Sequence, residues 1–243
     1  MFSSRYVILF TLSMTVIVAV LLSGLYNLLK PTHDANEAIY NKRQILGAVA
    51  GPLNIKPDAL SDEEVQAAFK KVTQLTINSK GEEIQVKNNA GGEKKAEKIK
   101  MEKEVKKAVE DRDLPVFVMD VDGKQYHILS VYGNGLWDKI WGWIAVEPNG
   151  TIVGSAFGHK GETPGLGAEI KDNPTFSKGF EGLKIYNDKG ELAPIIVRKG
   201  GARSKVHEVD AITGATITCD GVTKMIQEGL NIVYKDYLAK IKK

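Results

Sequence analysis

The chain opens with a long apolar segment. From Tyr6 to Leu29 no residue carries a charged side chain, and about 20 apolar residues at ~1.5 Å each cross a ~30 Å hydrocarbon layer. A cleavable signal peptide is the alternative, but its apolar region is typically ~7–15 residues long and precedes a small-residue cleavage site. Here Lys30-Pro31-Thr32-His33 follows instead. We therefore expect a retained transmembrane helix over residues 1–30.

The next stretch, residues 31–113, has mostly helical spacing. Apolar positions recur every three to four residues from Asn36 to Gly51, and Ser61-Asp-Glu-Glu64 is a capping box that predicts a second short helix. Residues 93–112 place lysines and glutamates three to four positions apart around a few aliphatic side chains. This pattern predicts a solvated amphipathic helix.

From Leu114 onward, short runs with strand character alternate with turn residues. The predicted hairpins are Val116–Val121 with Gln125–Val131, Ile140–Val146 with Thr151–Phe157, and Leu183–Tyr186 with Ala193–Arg198. A final helix is predicted from about Cys219 to Ile241. Hairpins among helices, without βαβ alternation, predict an α+β fold. We expect an antiparallel sheet with flanking helices, preceded by one N-terminal transmembrane helix.

Composition excludes several classes of function. With 33 Lys plus Arg against 30 Asp plus Glu, the net charge of +3 is too small for a nucleic-acid-binding surface. One cysteine excludes an intramolecular disulfide and a cysteine zinc site, and the four histidines are scattered. No G-x-G-x-x-G follows a strand and no Walker loop is present, so neither a Rossmann nor a P-loop nucleotide site is supported.

One candidate site lies just before the final helix, in the segment Asp210-Ala-Ile-Thr213-Gly214-Ala215-Thr216-Ile217-Thr218. A structural explanation is an N-cap formed by Thr216 or Thr218. The same geometry also suits an anion, because free N–H groups and the positive end of the helix dipole point outward. A threonine hydroxyl at this position can also be esterified by a phosphate group.

Two further segments carry chemical information. The loop His159-Lys-Gly-Glu162-Thr163-Pro164-Gly165-Leu166-Gly167 predicts a rigid turn with exposed backbone N–H groups, suited either to a planar heterocycle or to an ordinary surface turn. The segment Gly133-Asn-Gly135-Leu136-Trp137 ends on a tryptophan that either packs on the protein or stacks on a cofactor ring.

Together these features are more specific than each alone. One N-terminal span, G-x-G-L-W, H-x-x-E-T-P-G-L-G and D-x-x-T-G-A-T, in this order, resemble the FMN-binding domain family of redox-driven ion pumps. The layout is similar to the membrane-anchored FMN subunit of the Na+-translocating NADH:quinone reductase. The related FMN subunit of the Rnf complex shares the motifs but is typically shorter, so the long segment before Leu114 favours the reductase. The resemblance implies an FMN-binding domain over 114–243, with 31–113 as the N-terminal part of an extracytoplasmic region.

The resemblance also implies how the cofactor is held. Thr216 corresponds to the threonine that a flavin transferase links to FMN through a phosphodiester, and Thr213, Gly214 and Ala215 complete that motif. Asp210 and Thr213 belong to the sequence that the transferase reads. The residues expected to lie along the isoalloxazine or its side chain are Glu162, Thr163, Gly165, Leu166 and Gly167, with Trp137 near the ring.

For function, the resemblance implies a relay of single electrons within a multisubunit pump of the bacterial inner membrane. Its soluble domain is expected on the periplasmic side, with NADH upstream, ubiquinone or menaquinone downstream, and Na+ translocation in partner subunits. No catalytic residue and no metal ligand is expected in this chain. An Rnf-type carrier is the close alternative. A non-redox, membrane-anchored scaffold whose T-G-A-T is only a helix cap is the distant one.

Overall fold

The computed structural model of the chain describes residues 3–87, 91–92 and 94–242. The chain divides into two compact units, Met1–Asn41 and Lys42–Lys243. From Ser4 onward the first unit belongs to one long helix, and the second unit holds the sheet and all the motifs discussed above. The finer division of the sequence at residues 30 and 113 stays a proposal.

Helix α1, Ser4–Gly47, extends through the first unit and ends in the second. Among the described residues it is the one helix long and apolar enough to cross a membrane, and its apolar segment is fully exposed. The helical spacing that begins at Asn36 is confirmed as far as Gly47, and this stretch is continuous with the apolar segment because α1 continues through Pro31. A proline removes one backbone hydrogen bond and often bends a helix without ending it.

The second unit is built on a five-stranded antiparallel sheet with strand order β1-β2-β3-β4-β5. The strands are β1 Thr73–Ile77, β2 Leu114–Val121, β3 Lys124–Asn134, β4 Lys139–Val146 and β5 Ile152–His159. The first two predicted hairpins are confirmed as β2–β3 and β4–β5. The turn between β2 and β3 has positive φ at both Asp122 (53°) and Gly123 (78°). That conformation matches the twist of the strands it joins.

Strand β1 was not predicted, although the helix before it was. After α2, Ala50–Leu53, helix α3 covers Asp62–Phe69, and the capping box between Ser61 and Glu64 is formed as expected. β1 follows α3 and pairs with β2. The sheet therefore includes a strand from the part of the chain expected to be mostly helical.

The prediction of one helix over residues 93–112 was wrong for residues 94–112, and residue 93 lies outside the described residues. Residues 94–112 hold only three short elements, the turns Ala96–Lys98 and Val109–Asp111 and helix α4, Met101–Glu104. Local polar contacts explain the break: buried Glu104 accepts a hydrogen bond from the Asp113 amide (2.9 Å), and Arg112 donates to the Val105 carbonyl (3.1 Å). Such side-chain bonds to the backbone compete with a continuous helix.

The third predicted hairpin forms only next to its turn, where Tyr186 makes an isolated antiparallel bridge with Leu192. Lys184 bridges instead to Thr151, and strand β6, Ile196–Arg198, pairs in parallel with β7, Glu208–Asp210. Two short helices, α5 Glu169–Asp172 and α6 Pro174–Lys178, precede this region.

The C-terminal helix begins earlier than predicted and is divided. Helix α7 covers Thr216–Glu228, a π-helical turn covers Gly229–Val233, and α8 covers Lys235–Ile241. Glycines let α7 and the π turn lie close to β3: a Cβ on Gly133 would lie 2.9 Å from Met225 Cβ, and Gly229 faces Val131. This packing fixes the first turn of α7 beside the far end of β3, where the sequence motifs meet.

Candidate functional site

The carboxylate of Glu162 joins the three motif segments. Its Oε1 accepts a hydrogen bond from the Trp137 amide (2.9 Å), and its Oε2 accepts one from the Thr218 hydroxyl (2.5 Å). Glu162 lies in the loop after β5, Trp137 in the turn between β3 and β4, and Thr218 in the first turn of α7. One side chain that is only 4% exposed therefore connects all three.

Hydrogen bonds keep this carboxylate charged. Burial acts to raise the pKa of Glu162, but bonds from Thr218 and from the backbone amides of Trp137, Asp138 and Leu136 outweigh it and lower the pKa. Carboxylates that accept several such bonds titrate below their usual range. The described ion pairs do not include Glu162, so its charge is balanced by amide and hydroxyl dipoles.

The first turn of α7 carries Thr216 and lacks a capping side chain. The N-cap is Ala215, whose side chain cannot accept a hydrogen bond. The expectation of a threonine N-cap was wrong, because Thr216 is itself the first helical residue and the Thr218 hydroxyl turns to Glu162. The first amides of a helix need partners that the helix does not supply. Thr216 is half-buried at this positive helix end.

Exposed apolar side chains surround this turn. Outside α1, six large apolar side chains of the described residues are exposed, and four of these belong to the three motif segments. The four are Leu136 at 47%, Trp137 at 70%, Leu166 at 41% and Ile217 at 57%. An exposed apolar group of this kind marks a site for a ligand or a partner.

Trp137 is held at two points although most of it is exposed. Its amide donates to Glu162, and its indole Nε1 donates to the Thr163 hydroxyl (3.1 Å). The other two tryptophans differ: Trp143 is buried, and Trp141 lies against Gly158 of β5. Of the three, Trp137 therefore presents a fixed aromatic surface next to the motif segments.

The remaining predicted residues fall into an exposed and a buried group. Thr163, Gly165, Thr213 and Gly214 are exposed, whereas Ala215 and Gly167 are buried. Gly214 has φ +81°, and a Cβ on it would lie 2.8 Å from Leu166 Cδ2. The glycine thus lets the T-G-A-T segment and the P-G-L-G turn approach each other.

Thr218, Gly135 and Ile217 belong to the site but were absent from the expected cofactor contacts. Ile217 has one sequence signal, an apolar side chain between two threonines at a helix start. Gly135 faces Glu162 Oε1, a contact that no sequence pattern reveals.

His159 and Cys219 have structural surroundings. His159 Nδ1 accepts the amide of Glu162 (3.2 Å), which orients the start of that loop. Cys219 is buried, its Sγ accepts the Ile212 amide (3.4 Å), and burial raises the pKa of its thiol. A buried thiol with a raised pKa is unreactive.

Possible metal ligands converge elsewhere in the described residues only at His33, Asp34 and Glu37 of α1, and all three are exposed. Exposed acidic groups are common on helices without an ion, so this cluster carries no assignment.

The residues at the motif segments fit FMN in two ways. Exposed Trp137, Leu166 and Ile217 supply apolar surface for a flat ring system, and the uncapped amides at Thr216 supply donors for a phosphate. Half-buried Thr216 lies at the same helix end, and Gly214 lets the T-G-A-T segment lie close to Leu166.

Comparison with known proteins agrees with this fit. Residues 135–231 match the family model of the FMN-binding domain, and FMN is accordingly the cofactor of this chain. The NqrC subunit of the Na(+)-translocating NADH-quinone reductase from Haemophilus ducreyi is 42% identical over 118 residues, covering 47% of this chain and 45% of the relative. The chain thus spans about half the length of that relative.

A longer alignment and a solved structure extend the similarity. NqrC from Pseudomonas aeruginosa is 31% identical over 241 residues, covering 92% of this chain and 90% of the relative. The crystal structure of NqrC from Parabacteroides distasonis superposes with a TM-score of 0.72 at 33% identity, covering 86% of this chain and 96% of that one. The chain therefore belongs to the NqrC family of subunits of the Na+-translocating NADH-quinone reductase.

Proposed function

We propose that this chain carries FMN covalently on Thr216 and relays single electrons within a Na+-translocating NADH:quinone reductase. The link is a phosphodiester between the threonine Oγ1 and the FMN phosphate. A flavin transferase forms it from FAD, with AMP as the leaving group. FMN supplies the capacity to take up and release electrons one at a time.

One observation carries the proposal: three separate motif segments meet at the uncapped first turn that bears Thr216. The N-cap Ala215 provides no acceptor for the first amides, so an anion esterified to Thr216 would find donors there. An exposed anion at a helix N-terminus gains ~0.3–1 kcal/mol from the helix dipole. The hydroxyl needed for the ester and the charge needed for the phosphate thus occur in one turn.

Two of the other predicted residues, Trp137 and Leu166, would supply apolar surface for the ring. Trp137 offers an aromatic surface fixed by its bond to Thr163, and Leu166 offers an aliphatic one beside Gly214. Gly165, with φ +73° and open space around it, lets the loop turn in a backbone conformation that other residues rarely adopt. A ring that stays partly exposed is accessible to redox partners, which suits a relay.

The setting of the relay follows from the apolar helix and the family. The exposed apolar segment of α1 supports a single membrane anchor in the bacterial inner membrane. We place the sheet-containing unit on the periplasmic side, where covalent attachment retains FMN in a compartment with little free flavin. Its partners would be the other subunits of the reductase, with NADH as the electron source, a quinone as the acceptor and Na+ translocation in those subunits.

Denaturing gel electrophoresis tests the covalent link. The full chain, produced with a flavin transferase, is expected to give a flavin-fluorescent band that Thr216→Ala abolishes, because covalent flavin survives denaturation. Thr175→Ala is the matched control, since Thr175 is an exposed threonine in the first turn of α6, and it should retain full fluorescence. A wild-type chain without fluorescence, or a fluorescent Thr216→Ala chain, would contradict the proposal.

A further inference from the structure

We infer that Glu162 is a positioning residue whose carboxylate sets Trp137 and the first turn of α7 at a fixed separation, rather than a residue that contacts the flavin. This inference rests on the proposed function, since the turn in question carries Thr216. It assigns different tasks to the residues of the H-x-x-E-T-P-G-L-G loop. Thr163, Gly165 and Leu166 face outward, whereas Glu162 and Gly167 are buried beneath them.

Both carboxylate oxygens are already engaged by the protein. Oε1 accepts from the amides of Trp137 (2.9 Å) and Asp138 (3.5 Å), and Oε2 accepts from the Thr218 hydroxyl (2.5 Å). Glu162 and Thr218 are 4% and 1% exposed. Hydrogen bonds to a charged acceptor are roughly twice as strong as neutral ones, and a buried carboxylate that loses a donor is strongly penalised. The loss of any one of these hydrogen-bond donors is therefore costly in free energy.

Two motif glycines make room for this carboxylate. A Cβ on Gly135 would lie 2.5 Å from Glu162 Oε1, and a Cβ on Gly167 would lie 2.5 Å from Oε2 and 2.6 Å from Thr218 Oγ1. Neither glycine has a positive φ, so backbone conformation alone does not require glycine at these positions. The close approach to Glu162 and Thr218 explains both, without any contact to the cofactor.

The bond between Glu162 and Thr218 affects Thr216, the proposed site of FMN attachment, through the first turn of α7. Thr218 and Thr216 share the first turn of α7, so a bond that fixes Thr218 also restrains the backbone that carries the Thr216 side chain. The same carboxylate fixes the backbone of Trp137. A loss of the Thr218 bond is thus expected to loosen both the turn that carries the acceptor and the exposed tryptophan.

Hydrogen–deuterium exchange on the full chain in detergent micelles tests this link without flavin. Thr218→Val removes the hydroxyl at nearly constant shape, and Gly167→Ala places a methyl group against Oε2. In both variants, amide exchange over residues 134–139 should rise at least tenfold, while exchange in β2 stays at the wild-type rate. Thr218→Ser keeps a hydroxyl and should behave as wild type. Gly161→Ala is the matched control for the glycine, because the nearest atom to its Cβ, on Asp138, is 3.8 Å away.

Flavin loading by the transferase provides the second measurement. The initial rate of FMN incorporation should fall at least tenfold in Thr218→Val and Gly167→Ala and stay within twofold of wild type in Thr218→Ser and Gly161→Ala. Glu162→Gln retains the shape but loses the charge, so its exchange and loading should lie between those of wild type and Thr218→Val.

The outcomes separate this inference from the proposed function. Unchanged exchange and loading in Thr218→Val would overturn the positioning role while leaving the covalent flavin in place. Exchange that rises equally in β2 would also overturn it, since that result indicates general destabilisation. A wild-type chain that takes up no flavin would contradict the proposed function, and the exchange measurement would still decide whether Glu162 links the two segments.

Discussion

At the residue scale, one ring nitrogen of His159 binds the backbone at the start of the loop after β5. Nδ1 accepts the Glu162 amide (3.2 Å), so it carries no proton in the folded chain. Burial, together with the nearby Lys171, lowers the pKa of His159, while Asp172 and Glu162 act in the opposite direction and only partly offset this. The folded state therefore favours the neutral imidazole.

This preference predicts a specific pH dependence of stability. The unfolded chain binds the His159 proton near pH 6.5, whereas the folded chain binds it only at lower pH. Stability from this group is therefore complete above about pH 6.5 and falls as the pH drops towards the folded pKa. His159→Asn keeps an acceptor but cannot titrate, so its urea midpoint should fall less than that of wild type between about pH 7 and 5. Equal losses in the two proteins would contradict the assignment.

At the scale of elements, local signals predicted local structure and missed what depends on distant partners. The β2–β3 hairpin and the Ser61 cap are specified by neighbouring residues, and both formed as predicted. β1 forms because it pairs with the edge of β2, and residues 94–112 do not form one helix because of the contacts of buried Glu104. The hydrophobic periodicity of each segment by itself predicts neither of these two effects.

The candidate site shows the same division. The motifs named the three segments that the structure brings together and placed Thr216 just before the final helix, of which it is the first residue. They did not indicate that Glu162 faces inward or that Ile217 is exposed, because both depend on how α7 packs against the loops. Sequence reasoning thus named segments that lie together in the structure but did not assign a direction to each side chain.

Packing of the C-terminal helices on the sheet provides a stability test. Tyr234 is fully buried after the π turn, and its hydroxyl donates to the Pro115 carbonyl of β2 (2.9 Å). Tyr234→Phe removes that donor and should lower the free energy of unfolding by ~1–3 kcal/mol. Tyr126→Phe, on β3, should change it by less than about 0.5 kcal/mol, since that hydroxyl makes no hydrogen bond within the described part of the chain. Urea denaturation measures both, and equal effects would show that the Tyr234 bond is not stabilising.

At the scale of the whole molecule, the two units differ in whether their apolar side chains are exposed or buried. The first unit exposes a continuous apolar segment of α1, whereas the second buries its own core, including Ile45 and Leu46 near the end of α1. Removal of the apolar segment should therefore change where the protein resides and leave the sheet-containing unit folded.

Fractionation and melting of a shortened chain test this division. Full-length protein should stay with membranes after alkaline carbonate extraction, whereas residues 38–243 alone should be soluble and melt cooperatively, because the cut leaves Ile45 and Leu46 in place. Extraction of the full-length chain by carbonate would contradict the membrane anchor. A shortened chain without a cooperative transition would contradict the independence of the second unit.

The mass of the peptide that contains Thr216, taken from chain matured with a flavin transferase, tests the central claim most directly. We predict a mass above that of the unmodified sequence by one FMN less one water, with fragmentation that places the addition on the Thr216 side chain. An unmodified Thr216 peptide, or the same addition on another residue, would contradict the account.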